Sequence, residues 1–187
     1  MKITKVELYK VMPTEPPSAG WRPTCVKVYT DEGIYGWGES GISVLSGRDA
    51  AAAFITEIAP MILGMDPLDT EKIWSKLYQY AYWSYSGGAL AFAAISALDI
   101  ACWDIKSQAF GIPLYQLMGG YNPKVPAYAS TVTWDTMEEY ERHIKECADE
   151  GFFAFKLHAT GDAKWDAKLC RNLRKWVGDD ADLMFDG

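Results

Sequence analysis

Residues 88–120 read GALAFAAISALDIACWDIKSQAFGIPLYQLMGG. Ala91, Ala94, Ile95, Leu98, Cys102, Ile105 and Ala109 recur at spacings of three or four, which predicts one long helix over 88–110. The stretch is nearly apolar all round, so this helix belongs at the centre of a core rather than on a surface. Gly111 supplies its C-terminal cap, and Pro113 bars any continuation.

The segments before this helix have a different texture. Residues 2–11 and 23–30 read as strands; in the second, Cys25, Lys27 and Tyr29 face one way and Val26 and Val28 the other. Between them lies PTEPPSAGW, residues 13–21, a loop with three prolines and a glycine that ends in Trp21, just before Arg22. Asp31-Glu32-Gly33 reads as a hairpin turn, and residues 34–40 return as a third strand. Gly36 and Gly38 weaken that strand, which points to a bulge or a close backbone approach. Helices are expected over 47–63, interrupted only by Pro60, and from Asp69-Thr70-Glu71 through Trp74, Leu77, Tyr78 and Ala81.

After residue 121 the pattern changes again. Residues 125–131 read as an apolar strand, and Asp135 with Glu138 looks like a capping box that opens a helix running to about Glu150, ended by Gly151. FFAFKLH, 152–158, is a second strand. A second helix over 163–177 carries Trp165, Leu169, Leu173 and Trp176 on one stripe, and 181–186 is a third strand. Strand-helix-strand-helix-strand is the signature of a parallel sheet. The fold expected is therefore an α+β unit over 1–121, a three-stranded antiparallel meander with helices, followed over 122–187 by the beginning of an α/β unit, with a small three-stranded α/β appendage as the alternative. Two and a half β/α units cannot close a barrel and would leave an open sheet edge, so the chain reads as truncated.

Composition narrows the function classes. The 187 residues suit one domain of ordinary size or two small ones. Eight Trp, 11 Tyr and 7 Phe exclude a disordered chain. Eighteen Lys and Arg against 25 Asp and Glu give a formal charge of −7 without a basic block, which argues against nucleic acid as a partner. No apolar run reaches the ~18 residues of a membrane span. The opening MKITKVELYK lacks a signal-peptide core, so a cytoplasmic location is expected and no membrane partner. Cys25, Cys102, Cys147 and Cys170 form no C-x-x-C pair; they are expected to be buried, reduced thiols rather than zinc ligands. His143 and His158 are the two histidines, too few for a His-rich metal site.

In parallel α/β units, ligands gather at the C-terminal ends of strands. Lys156 and His158 end one such strand and, two residues apart, share a face, while Leu157 points to the packed helices. Basic groups in that position serve as bases or as partners of a carboxylate. Asp186 ends the next strand, where its hard oxygens suit Mg²⁺. Each signal is weak alone, because a single Asp after a strand is commonly a turn residue or helix cap. Glu39 reads as a surface carboxylate, Asp99 and Asp104 as ion-paired helix residues, and His143 as part of a solvated helix face.

Taken together, four stretches resemble the mandelate racemase and muconate-lactonizing branch of the enolase superfamily. They are TDEGIYGWGES after the Pro-rich loop, SALDIACWDIKSQAFGIPLYQLMGG at 96–120, FKLH at the place of the family's Lys-x-Lys, and LMFDG at the place of its first metal-binding Asp. The resemblance implies a capping domain before a modified TIM barrel. It also implies Mg²⁺-assisted abstraction of the proton α to a carboxylate, the metal and a base acting together. It gives Asp186 the role of first metal ligand and places Lys156 near the carboxylate of a small-molecule substrate. His158 stands where the family has its second Lys, the base, and an imidazole is a competent base at neutral pH. Trp21 and Arg22, with the loop at 43–48, resemble lid loops that select substrate. Identical subunits are expected to associate, as family members commonly do. The complete enzyme would be a racemase or epimerase, or an acid-sugar dehydratase. The alternatives are a muconate-type cycloisomerase and a non-catalytic, self-associating fragment. The family also needs two further acidic ligands and a second acid/base residue, so the 187 residues alone are expected to be inactive.

Overall fold

The computed structural model describes residues 1–12, 22–42, 46–83 and 88–187. The whole Pro-rich loop at 13–21, Trp21 included, and residues 43–45 lie outside the described residues. The chain divides into two compact units, Met1–Tyr121 and Asn122–Gly187.

In the first unit, strands β1 (Ile3–Lys10), β2 (Thr24–Thr30) and β3 (Tyr35–Ser40) form an antiparallel sheet in that order. Helix α1 (Arg48–Ile58) runs into a 3-10 turn at Ala59–Ile62, where Pro60 sits in the first turn and its missing N–H costs nothing. Helices α2 (Thr70–Tyr80), α3 (Ala89–Phe110) and the single turn α4 (Leu114–Leu117) follow. As the apolar pattern requires, α3 is central: Ala94, Ile95, Leu98, Ala101, Cys102 and Ile105 are fully buried against Val26, Val28, Ile55, Ile73 and Leu77. Gly111 closes it in the left-handed conformation at φ 63°.

Gly36 and Gly38 mark a close approach. A Cβ at Gly36 would lie 2.1 Å from the Ala101 carbonyl oxygen, and one at Gly38 would lie 1.9 Å from that of Ala97. The α3 backbone therefore rests directly on β3. One turn further along, Asp104 accepts the Trp37 N–H at 2.8 Å and the Gln108 amide donates to the Tyr35 carbonyl at 2.8 Å. These side chains satisfy backbone groups that an edge strand would otherwise expose. Asp104 thus serves the sheet rather than an ion pair. Asp99 is half-buried beside Glu71 and has no ion pair with a cation among the described residues; burial, reinforced by Glu71, raises its carboxyl above the ordinary range.

In the second unit, β4 (Ala129–Ser130), β5 (Ala154–His158) and β6 (Asp182–Asp186) form a parallel sheet in that order, joined by α5 (Met137–Asp149) and α6 (Ala163–Val177). Tyr140, Ile144, Phe155, Leu157, Leu169 and Leu173 make its core. Three details differ from the sequence reading. The first strand is two residues long, not seven: Pro126 has no N–H to give a ladder, and Val125 is 80% exposed. The capping box is Thr136 with Glu139, one residue later than expected, because the Thr136 hydroxyl accepts the Glu139 N–H at 3.2 Å. His143 is half-buried, its ring stacked on Trp134 with centroids 4.5 Å apart. The four cysteines are free thiols, yet Cys102 alone is fully buried, and burial pushes it up to about 12. No helix among the described residues is long and apolar enough to cross a membrane.

Candidate active site at the strand ends

Side chains alternate along β5, and its residues follow that rule: Phe155 and Leu157 are buried in the core, while Lys156 and His158 face the other way, partly exposed. Parallel pairing sets His158 opposite Asp186 and Lys156 opposite Met184. Because both strands run the same way, all three polar side chains gather at one end of the sheet.

The three form a triangle. Lys156 Nζ lies 2.6 Å from Asp186 Oδ2, and His158 Nε2 lies 3.8 Å from the same oxygen. The ammonium hydrogen bond, followed by its charge, holds the Asp186 carboxyl below its ordinary range, and the same bond raises the Lys156 ammonium. On the other side of the ring, His158 Nδ1 lies 2.6 Å from the Thr131 carbonyl oxygen. A carbonyl can only accept, so Nδ1 carries the proton in that bond. In the neutral ring Nε2 then holds the lone pair, on the side facing Asp186.

Backbone bonds brace this end of the sheet. The Thr131 N–H and hydroxyl both donate to the Lys156 carbonyl, at 2.9 and 3.1 Å, and the Ala159 N–H donates to the Asp186 carbonyl at 2.8 Å. Buried Asp166, in the first turn of α6, accepts from the Thr160 N–H at 3.1 Å and its hydroxyl at 2.7 Å. The loop after His158 is therefore held from both ends. Sequence reasoning missed Thr131 and Asp166. Thr131 acts through a carbonyl that every residue carries, and Asp166 has the look of any acidic residue at a helix start.

Of the other expected site residues, Arg22 is exposed two residues ahead of β2 in the first unit, and Trp21 lies outside the described residues. Among the described residues no three or more His, Cys, Asp or Glu side chains gather to hold a metal ion. Asp186 offers a hard oxygen donor, already drawn to a cation, and fits Mg²⁺ as one ligand of the six that ion prefers.

A profile of the mandelate racemase / muconate lactonizing enzyme N-terminal domain matches residues 22–119, more than half of the chain. The chain belongs to this family. The D-galactonate dehydratase of Pectobacterium atrosepticum is 39% identical over 160 residues, which cover 84% of this chain and 38% of that enzyme. Among solved structures, the 3,6-anhydro-D-galactonate cycloisomerase of Zobellia galactanivorans superposes with a TM-score of 0.88 at 29% identity, over 100% of this chain and 51% of the cycloisomerase. An enolase-superfamily member from Polaromonas sp. JS666 does so with a TM-score of 0.81 at 32% identity, over 99% of this chain and 51% of that one. The matched spans of these two structures take in both units of the chain, while the family model lies within the first. The chain spans about two fifths of the length of the curated relatives it matches.

Proposed function

We propose that, in a protein of its relatives' length, these residues serve a Mg²⁺-dependent acid-sugar dehydratase of the D-galactonate type. The triangle of Lys156, His158 and Asp186 carries this reading: a base, a fixed cation and a hard oxygen ligand converge at the C-terminal ends of parallel strands. An α-proton beside a carboxylate is very weakly acidic, so its removal needs positive charge at the carboxylate oxygens and a base held close. Bound Mg²⁺ would supply positive charge against the charge that develops on those oxygens.

His158 takes the α-proton on Nε2, whose lone pair the Thr131 hydrogen bond preserves. Lys156 places its ammonium beside the substrate carboxylate. Asp186 is one ligand of the ion, and its carboxylate is kept ionised by Lys156. Expulsion of the β-hydroxyl as water consumes a proton from a second acid, a role assigned to none of the three. Arg22 and Trp21 belong to the proposal as substrate-gripping residues, with Arg22 suited to a carboxylate or hydroxyls.

The dehydratase reading is preferred because sequence identity to the D-galactonate dehydratase, 39%, exceeds the 29% to the cycloisomerase. A cycloisomerase reading is favoured by the TM-score of 0.88 to the 3,6-anhydro-D-galactonate cycloisomerase. Incubation of a protein of the relatives' length with a panel of aldonic acids, 3,6-anhydro-D-galactonate and Mg²⁺ separates them. A 2-keto-3-deoxy acid formed from D-galactonate supports the dehydratase. Consumption of 3,6-anhydro-D-galactonate alone supports the cycloisomerase, and turnover of neither overturns both.

A further inference from the structure

We propose that the outer face of the β1–β3 sheet binds a small anionic sugar, a single uronate ring, with Lys27 at its carboxylate and exposed aromatic rings beneath it. The inference does not depend on the roles given to Lys156, His158 and Asp186.

The register of the sheet arranges this face in rows. Lys5, Tyr29 and Tyr35 lie side by side, then Glu7, Lys27 and Trp37, then Tyr9, Cys25 and Glu39. Alternation sends these side chains away from the core that Val26 and Val28 join. Tyr9 is 39% exposed, and Tyr35 and Trp37 are each 42% exposed, so their rings are open to a ligand.

Lys27 holds the centre. It stands directly opposite Glu7 in the register, yet the two do not pair. Glu7 is ion-paired with Lys5 and accepts the Tyr9 and Tyr29 hydroxyls at 2.7 and 2.6 Å. Those bonds, that of Lys5 first, hold the Glu7 carboxyl down at about 2. Lys27 leans instead toward the rings of its own strand and of β3. Its Nζ lies 3.7 Å from the Tyr35 ring centre, 4.9 Å from that of Tyr29 and 5.2 Å from that of Trp37. Aromatic faces attract an ammonium but do not use up its N–H donors. Half-buried and without a carboxylate partner among the described residues, Lys27 has donors to give an anion.

Size and chemistry select the occupant. Strands about 4.8 Å apart, with rows that span four residues of rise, outline roughly 10 Å by 14 Å. By itself that is far short of the ~800 Å² per partner of a stable protein interface, but a single pyranose ring fits within it. Lys27 meets the carboxylate in a charge-assisted hydrogen bond. Trp37 and Tyr9, with ring centres 5.2 Å apart, offer apolar faces to the C–H side of the sugar. The Tyr9 and Tyr29 oxygens have spent their hydrogens on Glu7 and can only accept, which calls for hydroxyl donors on the ligand. An aromatic acid has the charge without those hydroxyls, and a neutral sugar has the hydroxyls without the charge.

The test is a ¹H–¹⁵N titration of the 187-residue chain with D-glucuronate, methyl glucoside and benzoate in parallel. It is read at the Trp37 indole N–H, which Trp37→Phe assigns among the eight tryptophans. D-Glucuronate is expected to shift that signal and the amides of β2 and β3 saturably, with a Kd on the order of 1 mM, ordinary for a ligand of its size. Methyl glucoside and benzoate are expected to bind about 10-fold more weakly or worse. Lys27→Met should weaken glucuronate about 10-fold, whereas Lys27→Arg keeps the charge and should retain it. Trp37→Leu, which leaves Lys27 in place, should also lose affinity, as followed at the β2 amides. Equal binding of methyl glucoside or benzoate, or unchanged glucuronate affinity in Lys27→Met, overturns the proposal. So does a glucuronate response that is confined to residues 122–187 or never saturates.

Discussion

Lys156 and Asp186, thirty residues apart in sequence, meet at 2.6 Å across neighbouring parallel strands. Each shifts the other toward its charged form, and the signs set a pH window. The Asp186 carboxyl lies below its ordinary 3.8, so its contribution to stability is complete above that value and fades as the pH falls through the lowered one. The Lys156 ammonium lies above its ordinary 10.5, so its contribution is complete below that value and fades as the pH rises through the raised one. Wild type should therefore exceed Lys156→Met in urea midpoint between about pH 5 and 9, with the gap narrowing at both extremes. A gap that is constant from acid to alkali would mean the lysine acts through packing alone. The effect is expected to be small because Asp186 is half-exposed.

Gly38→Ala should be among the most damaging substitutions in the first unit. Its Cβ would fall 1.9 Å from the Ala97 carbonyl, a backbone atom that can move only with the whole of α3. A loss of roughly 3 kcal/mol is expected, the upper part of the overpacking range. Gly41→Ala, where an added Cβ meets nothing within 4 Å, is the control. Equal midpoints in urea unfolding for the two variants would show that α3 does not rest on β3.

That contact shows how far the sequence could be read. The two glycines announced a close approach or a bulge, and the apolar ring of α3 announced a central helix, yet neither named the other as partner. Pairing across sixty residues depends on three-dimensional packing that local pattern does not contain. The same holds at the site. Alternation placed Lys156 and His158 on one face, and strand ends pointed to Asp186, but the distances among them follow from the register of β5 and β6. Thr131 was not legible, because its carbonyl is common to every residue and only its place beside the imidazole gives it a role. The seven-residue first strand failed because apolar character was read as strand, although an exposed stretch with Pro126 cannot sustain a ladder.

Asp104→Ala should loosen the edge of β3 by about 1 kcal/mol, since the Trp37 N–H exchanges a carboxylate acceptor for water. Asp104→Asn keeps an acceptor and should recover much of the loss. Amide exchange at Trp37 reports the change directly. Unaltered protection in the alanine variant would show that the carboxylate does not guard the edge.

The displaced capping box gives a paired test in the second unit. Thr136→Ala should destabilise it by about 1 kcal/mol, the usual cost of an N-cap. Asp135→Ala should change stability by less than about 0.5 kcal/mol. The reverse ranking in thermal or urea unfolding would place the start of α5 one residue earlier.

Exchange of the α-proton of D-galactonate for deuterium, followed by proton NMR in D₂O with Mg²⁺, tests most directly whether His158 is the base. It requires a protein of the relatives' length, compared with its His158→Asn variant. The expected result is loss of the α-proton signal with the wild type, slowed about 100-fold or more in the variant. Exchange at equal rates in the two proteins, or none in the wild type with any aldonic acid of the panel, would contradict it.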